Sequence, residues 1–234
     1  MKIKAFFLFI TFFINLNISF SQTGIVTYKT GRTKINKTSR PEMARKITEE
    51  INRISQVLYY NNKMSFFKKE KNIPIYPFEA KAANILTKSH QKWYQFNNSN
   101  KTAAHNIEIL NKKYIVDKSY KMKGWELNSE VQIIDGYTCF KATRKQFIPR
   151  ANKDRILIAW YTPDIPVPYG PVGNGGLPGL ILKLEISNGL IYLVDKIILN
   201  PKKMKKIPSI KKGKKINIRE MVILMRDARK VTPD

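Results

Sequence analysis

Few groups in this chain could carry covalent or acid–base chemistry. They are His90, His105, one cysteine, Cys139, and the acids Asp135, Asp164, Glu185 and Asp195 in strand-like runs. A nucleophilic mechanism needs a thiol or hydroxyl beside an activating base, and a zinc site needs His and Cys at ligand spacing. The histidines stand in polar, loop-like contexts with no cysteine cluster near them, so both read as surface residues. Cys139 falls mid-strand in YTCFKAT beside aromatics. It reads as a buried, inert thiol rather than half of a thiol–histidine dyad. Being the single cysteine, it forms no intramolecular disulfide. A carboxylate pair for glycoside hydrolysis is defined by separation in space, while Asp135 and Asp164 are explained by Asp-Gly and Thr-Pro-Asp turns. No catalytic residue, metal or cofactor is assigned, and the chain is expected not to be an enzyme.

The stretch AWYTPDIPVPYGPVGNGGLPGLILKLEIS (159–187) raises the one remaining chemical question. A phosphate-cradling loop needs converging backbone N–H groups ahead of a helix, with Lys-Ser/Thr in the P-loop form. Here Pro178 removes a donor, the Lys-Ser/Thr pair is missing, and LILKLEI is patterned as a strand. A structural reading fits better: a strand, an extended crossing enforced by its prolines, and a bend. In LPGL, Pro178 and Gly179 suit a type II turn with positive φ at Gly179.

Those residues must be positioned by short strands. GIVTYKT alternates, PEMARKITEEINRIS has helical spacing at Met43, Ile47, Ile51 and Ile54 with Pro41 at its start, and QVLYYNNKMSFFKKE is a strand pattern broken at Asn61-Asn62. Residues 71–90 predict a loop or short helical excursion. From residue 91 onward strand-like runs follow at regular spacing, with Asp135-Gly136 and Asn188-Gly189 marking hairpins. The end of the chain, INIREMVILMRDARK, fits a final helix with Ile218, Val222, Met225 and Arg229 on one side or a strand through MVILM closing in a turn of helix, and the strand is the preferred expectation. The expectation is a mainly β protein: a strongly curved antiparallel sheet or partly open barrel with one or two short helices.

The segment GLPGLILKL, preceded by AWYTPDIPVPYGP and IDGYTCFKAT, resembles the GLPGLI family of exported Gram-negative proteins. All six letters of the hexapeptide are present at Gly176–Ile181, with Trp125, Trp160, Gly136, Tyr137 and Cys139 as accompanying features. Where the family often has an aromatic before the glycines, this chain has Asn174 or Gly175. The resemblance implies export, a β-rich fold and no established enzyme activity.

Residues 1–21 carry Lys2 and Lys4, an apolar run from Ala5 to Leu16, and small residues at Ser19 and Ser21, the parts of a secretory signal peptide. A membrane anchor is the alternative, though the apolar run is short for a span. Residues 22–234 then form a single domain with no further span, exported and either periplasmic or outer-membrane-associated. The net charge of +26 favours anionic partners, although a Lys-rich proteome would give the same excess. Much of it lies in the 202–215 segment: Lys202, Lys203, Lys205, Lys206, Lys211, Lys212, Lys214 and Lys215 form a surface-binding strip for a lipid or lipopolysaccharide surface. Among the aromatics, Trp160 and Tyr169, with Leu177, are candidates for an apolar ligand groove, the alternative being core packing. The expected function is a non-enzymatic envelope protein binding a lipophilic ligand or an anionic surface. A structural or assembly partner of another envelope protein and an uncharacterised hydrolase are the alternatives; nucleic acid is not an expected partner.

Overall fold

The computed structural model describes residues 22–33, 38–148 and 153–231. The expected signal peptide lies outside them. Twelve strands form one sheet: β1 (Gly24–Arg32), β2 (Ser55–Tyr60), β3 (Met64–Lys69), β4 (Trp93–Phe96), β5 (Thr102–Ile109), β6 (Lys112–Asp117), β7 (Glu126–Ile134), β8 (Tyr137–Ile148), β9 (Lys153–Thr162), β10 (Leu180–Ile186), β11 (Leu190–Leu199) and β12 (Lys214–Ile216). Three helices accompany it: α1 (Pro41–Asn52), α2 (Pro77–Leu86) and α3 (Ile218–Val231). The spatial order is β12-β6-β5-β4-β3-β2-β1-β11-β10-β9-β8-β7. All neighbours are antiparallel except the β12–β6 pair. The protein is thus mainly β, as the alternation requires. No pairing joins β7 to β12 among the described residues, so the sheet is open and not a closed barrel.

Local chemistry explains most of the turns. Asp135 and Gly136 both have left-handed φ, 51° and 79°, and join the paired residues Ile134 and Tyr137 in the twist that suits a hairpin. Leu110 and Asn111 do the same at 47° and 60°, splitting into β5 and β6 a run that the sequence presents as continuous. At the β10–β11 link Gly189 alone is left-handed, with φ 84°.

α1 begins at its proline and buries Ile51 against the sheet; Ile54, just past its end, is buried too. Of the expected loop or short helical excursion over residues 71–90, the helical excursion forms, as α2. The buried Glu50 carboxylate accepts N–H bonds from Ile75 and Tyr76 at 2.7 and 2.8 Å, which fixes the chain just before Pro77. α3 corrects the expectation of a strand through MVILM. Asn217 Oδ1 accepts from the Glu220 N–H and the Glu220 carboxylate accepts from the Asn217 N–H, a reciprocal cap at the helix start. Met221, Leu224 and Ala228 then fall on one face, against Ile109, Tyr114, Val116 and Ile216. That contact is a small satellite cluster. The main core, around Tyr28, Phe67, Trp93, Leu157, Tyr169, Leu182 and Tyr192, is separate from it.

Candidate functional site

The proline- and glycine-rich crossing between β9 and β10 is interior structure. Ile165, Val167, Tyr169, Val172 and Leu177 are all buried in the main core. Buried backbone needs partners, and distant side chains supply them. The Gln95 amide donates to Asn174 O at 2.8 Å, Trp125 Nε1 to Gly175 O at 2.8 Å, and Lys101 Nζ to Gly176 O at 3.3 Å. Gly176 is left-handed, φ 87°, and a Cβ there would stand 1.8 Å from Met122 O. Gly179 is required for room instead, since its Cβ would meet Thr162 O at 2.1 Å; its φ is not positive, so the expected type II turn does not form. A strand follows the crossing, and its glycines make room for backbone and side chains of the same chain.

Against this crossing the fold gathers five cationic side chains from separate elements. Lys121 sits in the 3-10 turn after β6, is 3% exposed, donates to Val172 O at 2.8 Å and lies 4.5 Å from the Trp93 ring centre. Arg144 on β8, also buried, donates to Lys121 O at 2.6 Å and to Asn174 Oδ1 at 2.6 Å, and stacks 4.3 Å from the Trp125 ring centre. These two clamp the crossing onto the loop before β7. Arg155 on β9 reaches Gln146 Oε1 at 2.6 Å. Lys118 is buried at the end of β6, and Lys88 is half-buried just past α2.

Lys88 occupies an unusual backbone position. Its N–H bonds to Ile85 O and that of Ser89 to Asn84 O, the paired bonds of a Schellman helix end. Such an end places its first non-helical residue in the left-handed region, normally as glycine; here it is lysine, φ 54°. Tyr192 Oη on β11 donates to Thr87 O at 2.7 Å and anchors that helix end. The ammonium is thereby held over the cleft.

The electrostatics are one-sided. None of the five is in an ion pair among the described residues. Burial pushes the Lys88 ammonium down to about 8, helped by Arg155, Lys118 and Arg144. Burial likewise lowers Lys118 to about 8, with Asp117 pulling it back up, and lowers Lys121 and Arg144. The Nε groups of Arg144 and Arg155 are buried without a hydrogen-bond partner. Lys88, Lys121 and Arg155 converge on an enclosed pocket of ≈ 20 Å³, room for about one water. Two larger clefts, ≈ 940 and ≈ 700 Å³, open on either side and meet at Lys88 and Tyr120 beneath Met221 and Val222 of α3. Neither is lined by a carboxylate among the described residues.

The groups singled out in the sequence are placed as follows. Tyr169 and Leu177 are enclosed in the main core, and Trp160 is half-buried against it. The structure packs these three and does not bring them to the cationic clefts. The eight lysines of 202–215 are all exposed, above half-buried Met204, Ile207 and Ile210. His90 is exposed; His105, expected at the surface, is buried on β5, with its ring centre 4.9 Å from that of Trp93 and its pKa pushed down to about 4 by burial. Cys139 is buried, its thiol pushed up to about 11 by burial. Glu185 pairs with Lys183 and Asp195 with Lys29. The described residues contain no group of three or more His, Cys, Asp or Glu placed to hold a metal ion. No helix among them is long and apolar enough to cross a membrane.

Comparison with known proteins gives two findings. Residues 148–183 match the model of a family described as a protein of unknown function (Porph_ging), a segment spanning β9, the crossing and the start of β10. No curated protein matches the chain. Two solved structures of PNGF-II, in space groups P21 and C2, share the fold with TM-scores of 0.54 and 0.56 at 16% identity. The alignment covers 89% of this chain and 34% of those, so the chain spans about a third of the length of the structures it matches.

Proposed function

We propose that this chain is a non-enzymatic, exported binding protein of the GLPGLI type whose ligand carries an acidic group. The carrying observation is that Lys88 lines two adjoining clefts, one shared with Arg144 and Arg155 and the other with Lys118 and Lys121, and no carboxylate among the described residues lines either. Concentrating desolvated like charges is costly unless a counter-charge arrives. A bound anion supplies that charge and accepts charge-assisted hydrogen bonds, each worth roughly 1.5–3 kcal/mol.

A strongly curved sheet belongs to this reading. Only residues 118–125 join β6 to β7. These strands are ten places apart in the order, which in a flat sheet is about 48 Å, more than the roughly 32 Å that nine extended steps can reach. The buried Cys139, the neutral His105 and the ion-paired acids support a binding role over a catalytic one. The setting is the periplasm or outer membrane, with the 202–215 lysines facing an anionic surface.

Native mass spectrometry, with extraction, on protein from its own exported pool tests the reading. The expected result is a stoichiometric acidic ligand that is lost in Lys88→Gln and Arg155→Gln. An acidic ligand retained in both variants, or a mass without ligand that added phosphate esters do not change, overturns it. A second reading, an assembly partner, is favoured by edge strand β7, whose Leu127, Val131 and Ile133 are exposed; cross-linking from β7 to one envelope protein would support it.

A further inference from the structure

The two clefts beside the cationic cluster share one roof. Met221 and Val222 of α3 line both, and Lys88 and Tyr120 lie where they meet. Beyond the cations the walls are mostly apolar: Phe147 and Ile218 beside Gln146 on one side, and Ile85, Trp93, Ile107 and Met225 beside His90, Gln91 and His105 on the other. Their volumes of ≈ 940 and ≈ 700 Å³ fall in the range of about 300–1,000 Å³ usual for small-molecule sites. α3 is fastened through Met221, Leu224 and Ala228 to the satellite cluster, and overhangs the clefts with Ile218, Val222 and Met225. A ligand of matching chemistry has a compact, multiply charged anionic head and an apolar chain.

We infer that the site takes a single-chain phosphate-monoester amphiphile, its phosphate at Lys88, where the cleft of Arg155 adjoins that of Lys118, and its acyl chain beneath α3. This rests on the anion-binding reading above and specifies it. A phosphate monoester carries up to two negative charges and three strong acceptor oxygens, which answers several converging cations better than one carboxylate does. The chain is drawn by the hydrophobic effect, at about fourfold in affinity per buried methylene.

The test is equilibrium binding to the full exported protein, below micellar concentrations, of three compounds: 1-hexadecanoyl-glycerol 3-phosphate, glycerol 3-phosphate and uncharged 1-hexadecanoyl-glycerol. The expected result is one-to-one binding of the first, with glycerol 3-phosphate at least about 100-fold weaker and the uncharged compound at least about tenfold weaker. Val222→Asn, a neutral polar change on the exposed roof, is expected to weaken the lysophosphatidate several-fold more than it weakens glycerol 3-phosphate; Lys88→Gln weakens both. Glycerol 3-phosphate binding within tenfold of the amphiphile overturns this inference and leaves the anion reading standing. So does an unchanged lysophosphatidate affinity in Val222→Asn. Uncharged lipid binding as tightly as lysophosphatidate, or no binding by either phosphate, overturns both.

Discussion

Lys88 and Lys118 sit where water is scarce and their near neighbours are mainly cations, Arg155, Lys118 and Arg144 around the first and Asp117 alone opposing at the second. Both titrate at about 8 in the folded protein against 10.5 when free. Between those values the unfolded chain holds more protons than the folded one, so stability rises with pH there and is flat in these groups below about 8. The ligand-free protein should therefore gain Tm from about pH 8 to 10, less so in a Lys88→Gln, Lys118→Gln double variant, as read by thermal unfolding. A bound anion should shrink the rise. Glycines give a second contrast at this scale. Gly176→Ala combines left-handed strain with a clash against backbone and should cost about 2–4 kcal/mol. Gly136→Ala, with left-handed φ and nothing within 4 Å, should cost only about 1–2 kcal/mol. Urea unfolding separates them. Asp135-Gly136 was readable in the sequence because a two-residue turn is chosen locally. Gly179 was legible as a required glycine but not for the right reason, since the need is room for Thr162 O, which approaches from another segment.

Among the elements, strands and hairpins were legible because alternation and turn residues act over a few positions. α3 was not: MVILM satisfies strand and helix patterns alike, and the cap at Asn217 and Glu220 decided it. The cationic cleft left no mark in the sequence, because its members come from α2's end, β6, the turn after it, β8 and β9. Lysine-rich composition hid them among 43 basic residues. The 202–215 strip was visible as a run, and the structure leads it directly into β12 and α3. Its lysines are exposed and close in sequence, so each should add about 1 kcal/mol of attraction to an anionic membrane. Reversing Lys202, Lys203, Lys205 and Lys206 to glutamate should abolish sedimentation with anionic liposomes at low salt and leave Tm within a few degrees. Unchanged sedimentation would remove the strip from the functional reading.

At the scale of the whole molecule, the open question in any sequence reading is strand order, because alternation says which face is buried and nothing about who lies alongside. Here β2 to β6 run as one meander and β7 to β11 as another, and β1 is the seam between them. That seam has a kinetic meaning. Gly24 pairs with Leu199, and β1 is flanked by β2 on one side and β11 on the other. Each meander can form from neighbours in the chain, but the molecule is unified only when its first strand captures its eleventh. Pairings so distant in sequence are entropically late and slow. Until that capture, β1 and β11 each present an unpaired edge rich in β-branched residues to whatever chain is nearby. The commitment to the native state is thus concentrated in one late event. The interval before it is when this protein is most exposed to aggregation and most in need of a partner that shields strand edges.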